Sequence, residues 1–176
     1  MKDQIEIIKE LRRKTGAPIV DCKKVFLECK EDVKKAEETL IEKGFNTAKK
    51  KEGRVTLQGN ITSYVHHNAT MGVLVEINCE TDFVAKNAEF KELGKSVAMQ
   101  IAATDPCYIT REDVPDTALA DVPESRKEDF YKASCLTEQV CVKDSSKTIK
   151  DLLTSVIAKT GENIKIRRFV RYEVGK

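Results

Sequence analysis

The sequence predicts an α+β protein: a three-helix N-terminal domain over residues 1–46, a basic linker over 47–58, and a core domain over 59–176 built on a small three-stranded antiparallel sheet packed with helices. Three observations predict it. Apolar residues recur at three- and four-residue steps through the first part of the chain, as amphipathic helices require. The period drops to two from Gly59 to Cys79 and again from Ile164 to Val174, the signature of half-buried strands. Between those strands lie helical stripes, which a sheet this small needs to cover its apolar face.

Taken in order, residues 3 to 14 place Ile5, Ile8 and Leu11 on one stripe, and Gly16 stops the helix. Pro18 opens a second helix, where its missing N–H costs little and Asp21 suits the positive end of the dipole. Val25 and Phe26, with Val20 or Cys22, supply its inner face. A third helix has Asp32 as N-cap, buries Val33, Ala36 and Leu40, and stops at Gly44. This compact unit resembles a ubiquitin-associated domain. Residues 47 to 54 are basic and nearly free of apolar anchors, which reads as a tether letting two modules grip one partner.

From Gly59 a hairpin alternates Ile61, Ser63 and Val65 against Thr62, Tyr64 and His66. It turns through residues 68 to 72 and returns with Val73, Val75, Ile77 and Cys79 on one face. Asn87 then caps a helix whose stripe is Phe90, Leu93, Val97, Ala98 and Ile101, with Gly94 allowing a neighbour to approach closely. The weakly patterned stretch that follows holds one short helix near Phe130 and Tyr131. Ser145 and Ser146 cap a last helix, with Ile149, Leu152, Leu153, Val156 and Ile157 inward and Gly161 as its stop. The closing strand places Ile164, Ile166, Val170, Tyr172 and Val174 on one face, broken by Arg168, and Lys165, Arg167, Phe169 and Arg171 on the other.

The candidate site is the corner where the hairpin gives way to a helix: Thr81, Asp82, Phe83 and Val84. From residue types alone, the simpler reading is that Asp82 caps the helix and Phe83 enters the core. The alternative is that a rigid corner presents the aromatic and the acid outward to a partner.

Composition limits the functions available. The charge of +2, from 31 basic and 29 acidic side chains, gives too weak a field for a general polyanion binder, so stable nucleic-acid binding is not expected. A basic, aromatic-bearing face on the last strand could serve RNA, but a solvated face is the simpler reading. Six cysteines without a CxxC pair, and two adjacent histidines, lack zinc spacing and predict reduced thiols and no metal. No phosphate-binding glycine loop or nucleophile–base spacing appears, so neither an enzyme nor a cofactor is expected. The N-terminus from Met1 to Glu6 is too acidic for a signal or transit peptide, and no apolar run approaches membrane-spanning length. The expectation is a cytoplasmic protein without a membrane partner.

Three segments, LRRKTGAPIVDCKK, EINCETDFVAK and GENIKIRRFVRYE, fall in order near the start, middle and end of the chain. Together they resemble the bacterial elongation factor Ts family in its short form. The resemblance covers nearly everything except roughly 115 to 132. It implies a guanine-nucleotide exchange factor for the GTPase elongation factor Tu, and it favours the outward reading of the corner. Thr81, Asp82, Phe83 and Val84 would then meet the partner's GTP-binding domain near its magnesium site. By the same resemblance Arg12, Ile19 and Val20 form a second contact on that domain, and the far end of the core meets another domain of the partner. Short forms of the family can pair into homodimers, which leaves that state open here. The chain departs from the family at Pro18, where glycine or serine is usual, and at Ile19 and Val20, often methionine. It also lacks the longer helical material that commonly precedes the motif found here at residues 135 to 139. The competing class is a helical adaptor binding a ubiquitin-like or nascent-chain partner, which would need only residues 1 to 45.

Overall fold

The computed structural model describes residues 3–176; Met1 and Lys2, where the N-terminal leader reading begins, lie outside the described residues. Helices α1 (Gln4–Thr15), α2 (Ile19–Glu28) and α3 (Val33–Lys51) come first, followed by strands β1 (Gln58–Val65) and β2 (Met71–Cys79). A short α4 (Asp82–Lys86) and the long α5 (Ala88–Thr104) come next. Beyond them are α6 (Asp116–Leu119), α7 (Lys127–Ser134), a ribbon of β3 (Val140–Cys141) and β4 (Asp144–Thr148), then α8 (Ile149–Thr160) and β5 (Ile164–Glu173). The main sheet has the order β1-β2-β5 and is antiparallel throughout. This is the small helix-packed sheet the alternation predicts; the β3-β4 ribbon is an addition to it.

The N-terminal helices bury Leu11, Ala17, Cys22, Val25, Phe26, Ala36 and Leu40 as a core of their own. Gly16 ends α1 in the left-handed region at φ 73, with its N–H on the Arg12 carbonyl, as a stop glycine should. Asp32 caps α3 by accepting from the backbone N–H groups of Lys34 and Lys35. Ile5 is exposed, and its place on the inner face of α1 is taken by Ile7 and Ile8 beside Leu11. Val20 likewise points outward, leaving Cys22, Val25 and Phe26 inside.

The third helix corrects the sequence reading. It does not stop at Gly44 but runs on to Lys51, through the first residues of the stretch read as a tether. Gly44 keeps out of the left-handed region and sits beside Thr154 and Ala158 of α8, where a Cβ would make only ordinary contact at 3.9 and 4.0 Å, so the glycine does not terminate the helix and its neighbours leave room for a methyl group. One turn on, Ala48 packs, partly buried, against the core of the sheet domain.

That second core lies between the sheet and α5 with α8: Val73, Val75, Ile77 and Cys79 meet Phe90, Leu93, Val97, Ala98 and Ile101. Gly94 sits directly over Thr62, whose Oγ1 would be 2.4 Å from any Cβ placed there. The last strand also departs from strict alternation. Arg168 pairs with Glu76 but Ile166 with Ile77, so Arg167 is an extra residue and the strand's faces exchange at this bulge. Phe169 and Arg171 therefore turn toward the helices, while Val170 and Tyr172 face solvent. Arg171 is tolerated there because it donates to the Ala102 carbonyl and pairs with Glu173 at 2.9 Å. The continuous basic face that could have served RNA does not exist.

At the start of α8, the cap is Thr148 and not Ser145 or Ser146. Thr148 and Asp151 form a reciprocal capping box, which a serine three residues earlier has no acidic partner to make.

Candidate functional site

β2 carries the chain to Cys79 in the core, Glu80 bends away, and Thr81 is extended before α4 begins. Thr81, not Asp82, is the N-cap: its hydroxyl accepts from the Val84 N–H. Asp82 instead pairs with Lys86 one turn on at 2.7 Å, and this ammonium holds its carboxyl below the usual carboxylate range. Val84 and Ala85 turn into the core, so the phenylalanine between Asp82 and Val84 is forced to the other side of the turn. Phe83 is 82% exposed. Of the four residues read as a contact, the structure presents Thr81, Asp82 and Phe83 and buries Val84 as their anchor.

The corner is tied down from several elements. Glu162, in the loop between α8 and β5, accepts from the backbone N–H of Glu80 at 3.2 Å and of Thr81 at 3.0 Å, and from the Thr81 hydroxyl at 2.6 Å. Glu80 returns the contact by accepting from the Asn163 N–H at 2.6 Å, and it also faces Arg54 at 3.5 Å. Asn163 is 2% exposed and donates to the carbonyls of Glu52 and Arg54, while Lys51 at the end of α3 donates to the Gly161 carbonyl. At the far end of α4, Asn60 of β1 donates to the Ala85 carbonyl at 2.6 Å. Under the corner, burial and then the nearby Glu162 charge push the Cys79 thiol up to about 11, which makes it a packing group and a poor nucleophile. Glu162 and Asn163 escaped the sequence reading because, between a stop glycine and a strand, they look like ordinary turn residues.

The other predicted residues gather at the junction of α1 and α2. Ile19 and Val20 are exposed at the start of α2, and Arg12 is exposed on α1. Arg12 and Ile19, but not Val20, line a cleft of about 740 Å³ whose walls include Arg13, Pro18, Glu89 and Lys159, the last two from the core helices and paired at 3.1 Å. Among the described residues no group of three or more His, Cys, Asp or Glu could hold a metal, and no helix is long and apolar enough to cross a membrane.

The family model for elongation factor Ts matches residues 5–129. The chain belongs to the elongation factor Ts family. Among its elongation factor Ts relatives, one from Thermotoga neapolitana is 47% identical, with 100% of this chain and 99% of the relative covered. Another, from a Thermoanaerobacter species, is 47% identical over 97% of this chain and 94% of the relative. One from Desulforamulus reducens is 46% identical over 97% and 88%. Elongation factor Ts membership makes the chain a translation elongation factor with bacterial relatives. The family match spans Arg12, Ile19, Val20 and the whole corner, well past the end of the N-terminal helices that an adaptor would use.

Proposed function

We propose that the chain is a guanine-nucleotide exchange factor for elongation factor Tu, promoting GDP release by disturbing the partner's magnesium and phosphate site so that GTP can bind. The observation that carries this reading is Phe83. A phenylalanine left in water on a turn bonded to three other segments contributes nothing to its own fold. It gains by entering an apolar crevice on another protein.

Exchange requires no bond chemistry from the factor. It requires that the factor bind the nucleotide-free GTPase more tightly than the GDP-bound form, and linkage makes the effect reciprocal: the factor weakens GDP by as much as GDP weakens the factor. Nucleotide held at nanomolar affinity represents about 12 kcal/mol. One buried phenylalanine contributes only about 1.5–3 kcal/mol. The ring must therefore act where a small displacement removes charge-assisted bonds, and a magnesium–phosphate site is such a place. Asp82, ionised through the neutral range, adds a like charge beside the phosphates.

The N-terminal residues give a second grip. Arg12, Ile19 and Val20 combine a cation with an exposed apolar pair, suited to a helix on the same GTP-binding domain, and the two contacts act as linked binding events. In this reading residues 1–46 are the gripping domain and 59–176 the domain that carries the wedge. The apolar residues left open on the sheet, Ile61, Val65, Leu74, Val170 and Tyr172, offer a surface for the partner's second domain or for a second copy of the chain. The test is release of a fluorescent GDP from elongation factor Tu by stopped flow, with the factor at catalytic amounts. The reading expects release to accelerate at least tenfold, about 1.4 kcal/mol in the barrier; unchanged release with folded factor would reject it.

A further inference from the structure

We propose that Glu162 is the positioning residue of the exchange corner, acting through Thr81 to fix where Phe83 and Asp82 stand; this rests on the reading of that corner as the site of exchange. Its carboxylate is the one side chain that joins the corner to the 161–163 loop through both oxygens. Oε2 takes the backbone N–H groups of Glu80 and Thr81, and Oε1 takes the Thr81 hydroxyl. These donors would otherwise point into solvent at the end of β2, where the sheet no longer supplies acceptors. Charge-assisted bonds of this kind are stronger and more directional than neutral ones.

The consequence passes along the chain. With its proton committed to Glu162, the Thr81 hydroxyl presents its lone pairs to the Val84 N–H, which starts α4. The first turn of α4 contains both Asp82 and Phe83, so their direction follows from that cap. Glu162 is itself held: Asn163 is buried and bonded to the carbonyls of Glu52 and Arg54, and Lys51 reaches the Gly161 carbonyl. The loop that carries Glu162 therefore also receives the end of α3. The same few residues fix the corner relative to the helices that bear Arg12, Ile19 and Val20.

The experiment compares stimulated GDP release by the parent, Phe83→Ala, Glu162→Ala, Glu162→Gln and the double variant Phe83→Ala/Glu162→Ala, with thermal melting of each. The expected result is a loss of about tenfold for Glu162→Ala, falling on the maximal rate because the N-terminal grip still forms the encounter. A smaller loss is expected for Glu162→Gln, which retains one acceptor oxygen and the bulk. In the Phe83→Ala background, Glu162→Ala should cost clearly less than in the parent, since of the two groups it positions only Asp82 is left. Amide hydrogen exchange on the factor alone should show Glu80 and Thr81 losing protection in Glu162→Ala. Should Glu162→Ala prove too unstable to assay, the same comparison is made with Glu162→Gln, whose smaller loss should likewise shrink in the Phe83→Ala background. Full activity in the Glu162 variants while Phe83→Ala is defective would overturn the proposal and leave the corner as the site. A Glu162 loss that multiplies with that of Phe83 would also overturn it. An unaffected Phe83→Ala would instead remove the reading on which the proposal stands.

Discussion

Asp82 takes no part in capping its own helix; its carboxylate reaches forward to Lys86, and the cap falls to Thr81. That exchange of roles leaves the acid on the surface, paired with Lys86, and keeps it charged. Because Lys86 lowers the Asp82 pKa in the folded protein, the ion pair's contribution is fully present above the unfolded value of about 3.9 and is lost only as pH falls through the lower folded value. The Asp82 contribution to exchange should thus stay constant through the neutral range. An NMR titration of its side-chain carboxyl should give a midpoint below the ordinary one, rising toward it in Lys86→Ala; an unchanged midpoint in that variant would remove the ion pair from the account. The sequence displayed Asp82 and Phe83 together, but not that both would face outward. That depended on Val84 and Ala85 claiming the core, and on Thr81 being a better cap once Glu162 holds its hydroxyl.

Among the elements, β2 and α5 follow their periodicities closely, because each has one face buried and one more open; β1 alternates too, but with Thr62 and Tyr64 half-buried and Ile61, Ser63 and Val65 exposed. The stripe of Phe90, Leu93, Val97, Ala98 and Ile101 is buried throughout. Gly94 belongs to that stripe as the place where α5 touches β1 at Thr62. Gly94→Val should push the helix off the strand and destabilise the fold by about 1–3 kcal/mol, seen as a lower midpoint in thermal unfolding; an unchanged midpoint would mean the contact is slack. Where the reading failed, a non-local contact decided. Gly44 looks like a stop until α3 is seen to run on beside α8, and the break in the β5 alternation at Arg168 does not reveal that the faces exchange until the pairing leaves Arg167 as the extra residue. Neither cue is local, so neither was legible. The cap of α8 was a different kind of miss: Thr148 and Asp151 stand at capping-box spacing in the sequence, but the earlier serines drew the reading away.

For the molecule as a whole, the two cores are not joined by a slack tether at the α3 end: α3 runs on to the sheet domain, with Ala48 packed against its core and Lys51 on the loop that carries Glu162. Two grips on one partner gain most when their spacing is fixed in advance, because less freedom is lost on binding. The family relationship was legible in the three motifs alone, and the relatives' nearly complete coverage agrees with it. The central claim is that the exposed ring at the corner does the work of exchange. The measurement that tests it most directly is stimulated GDP release by Phe83→Ala beside the parent, with thermal melting of both. The account predicts a loss of tenfold or more, about 1.4 kcal/mol, at an unchanged melting midpoint, since an 82% exposed ring supports little of the fold. Parental exchange by the folded variant would contradict it.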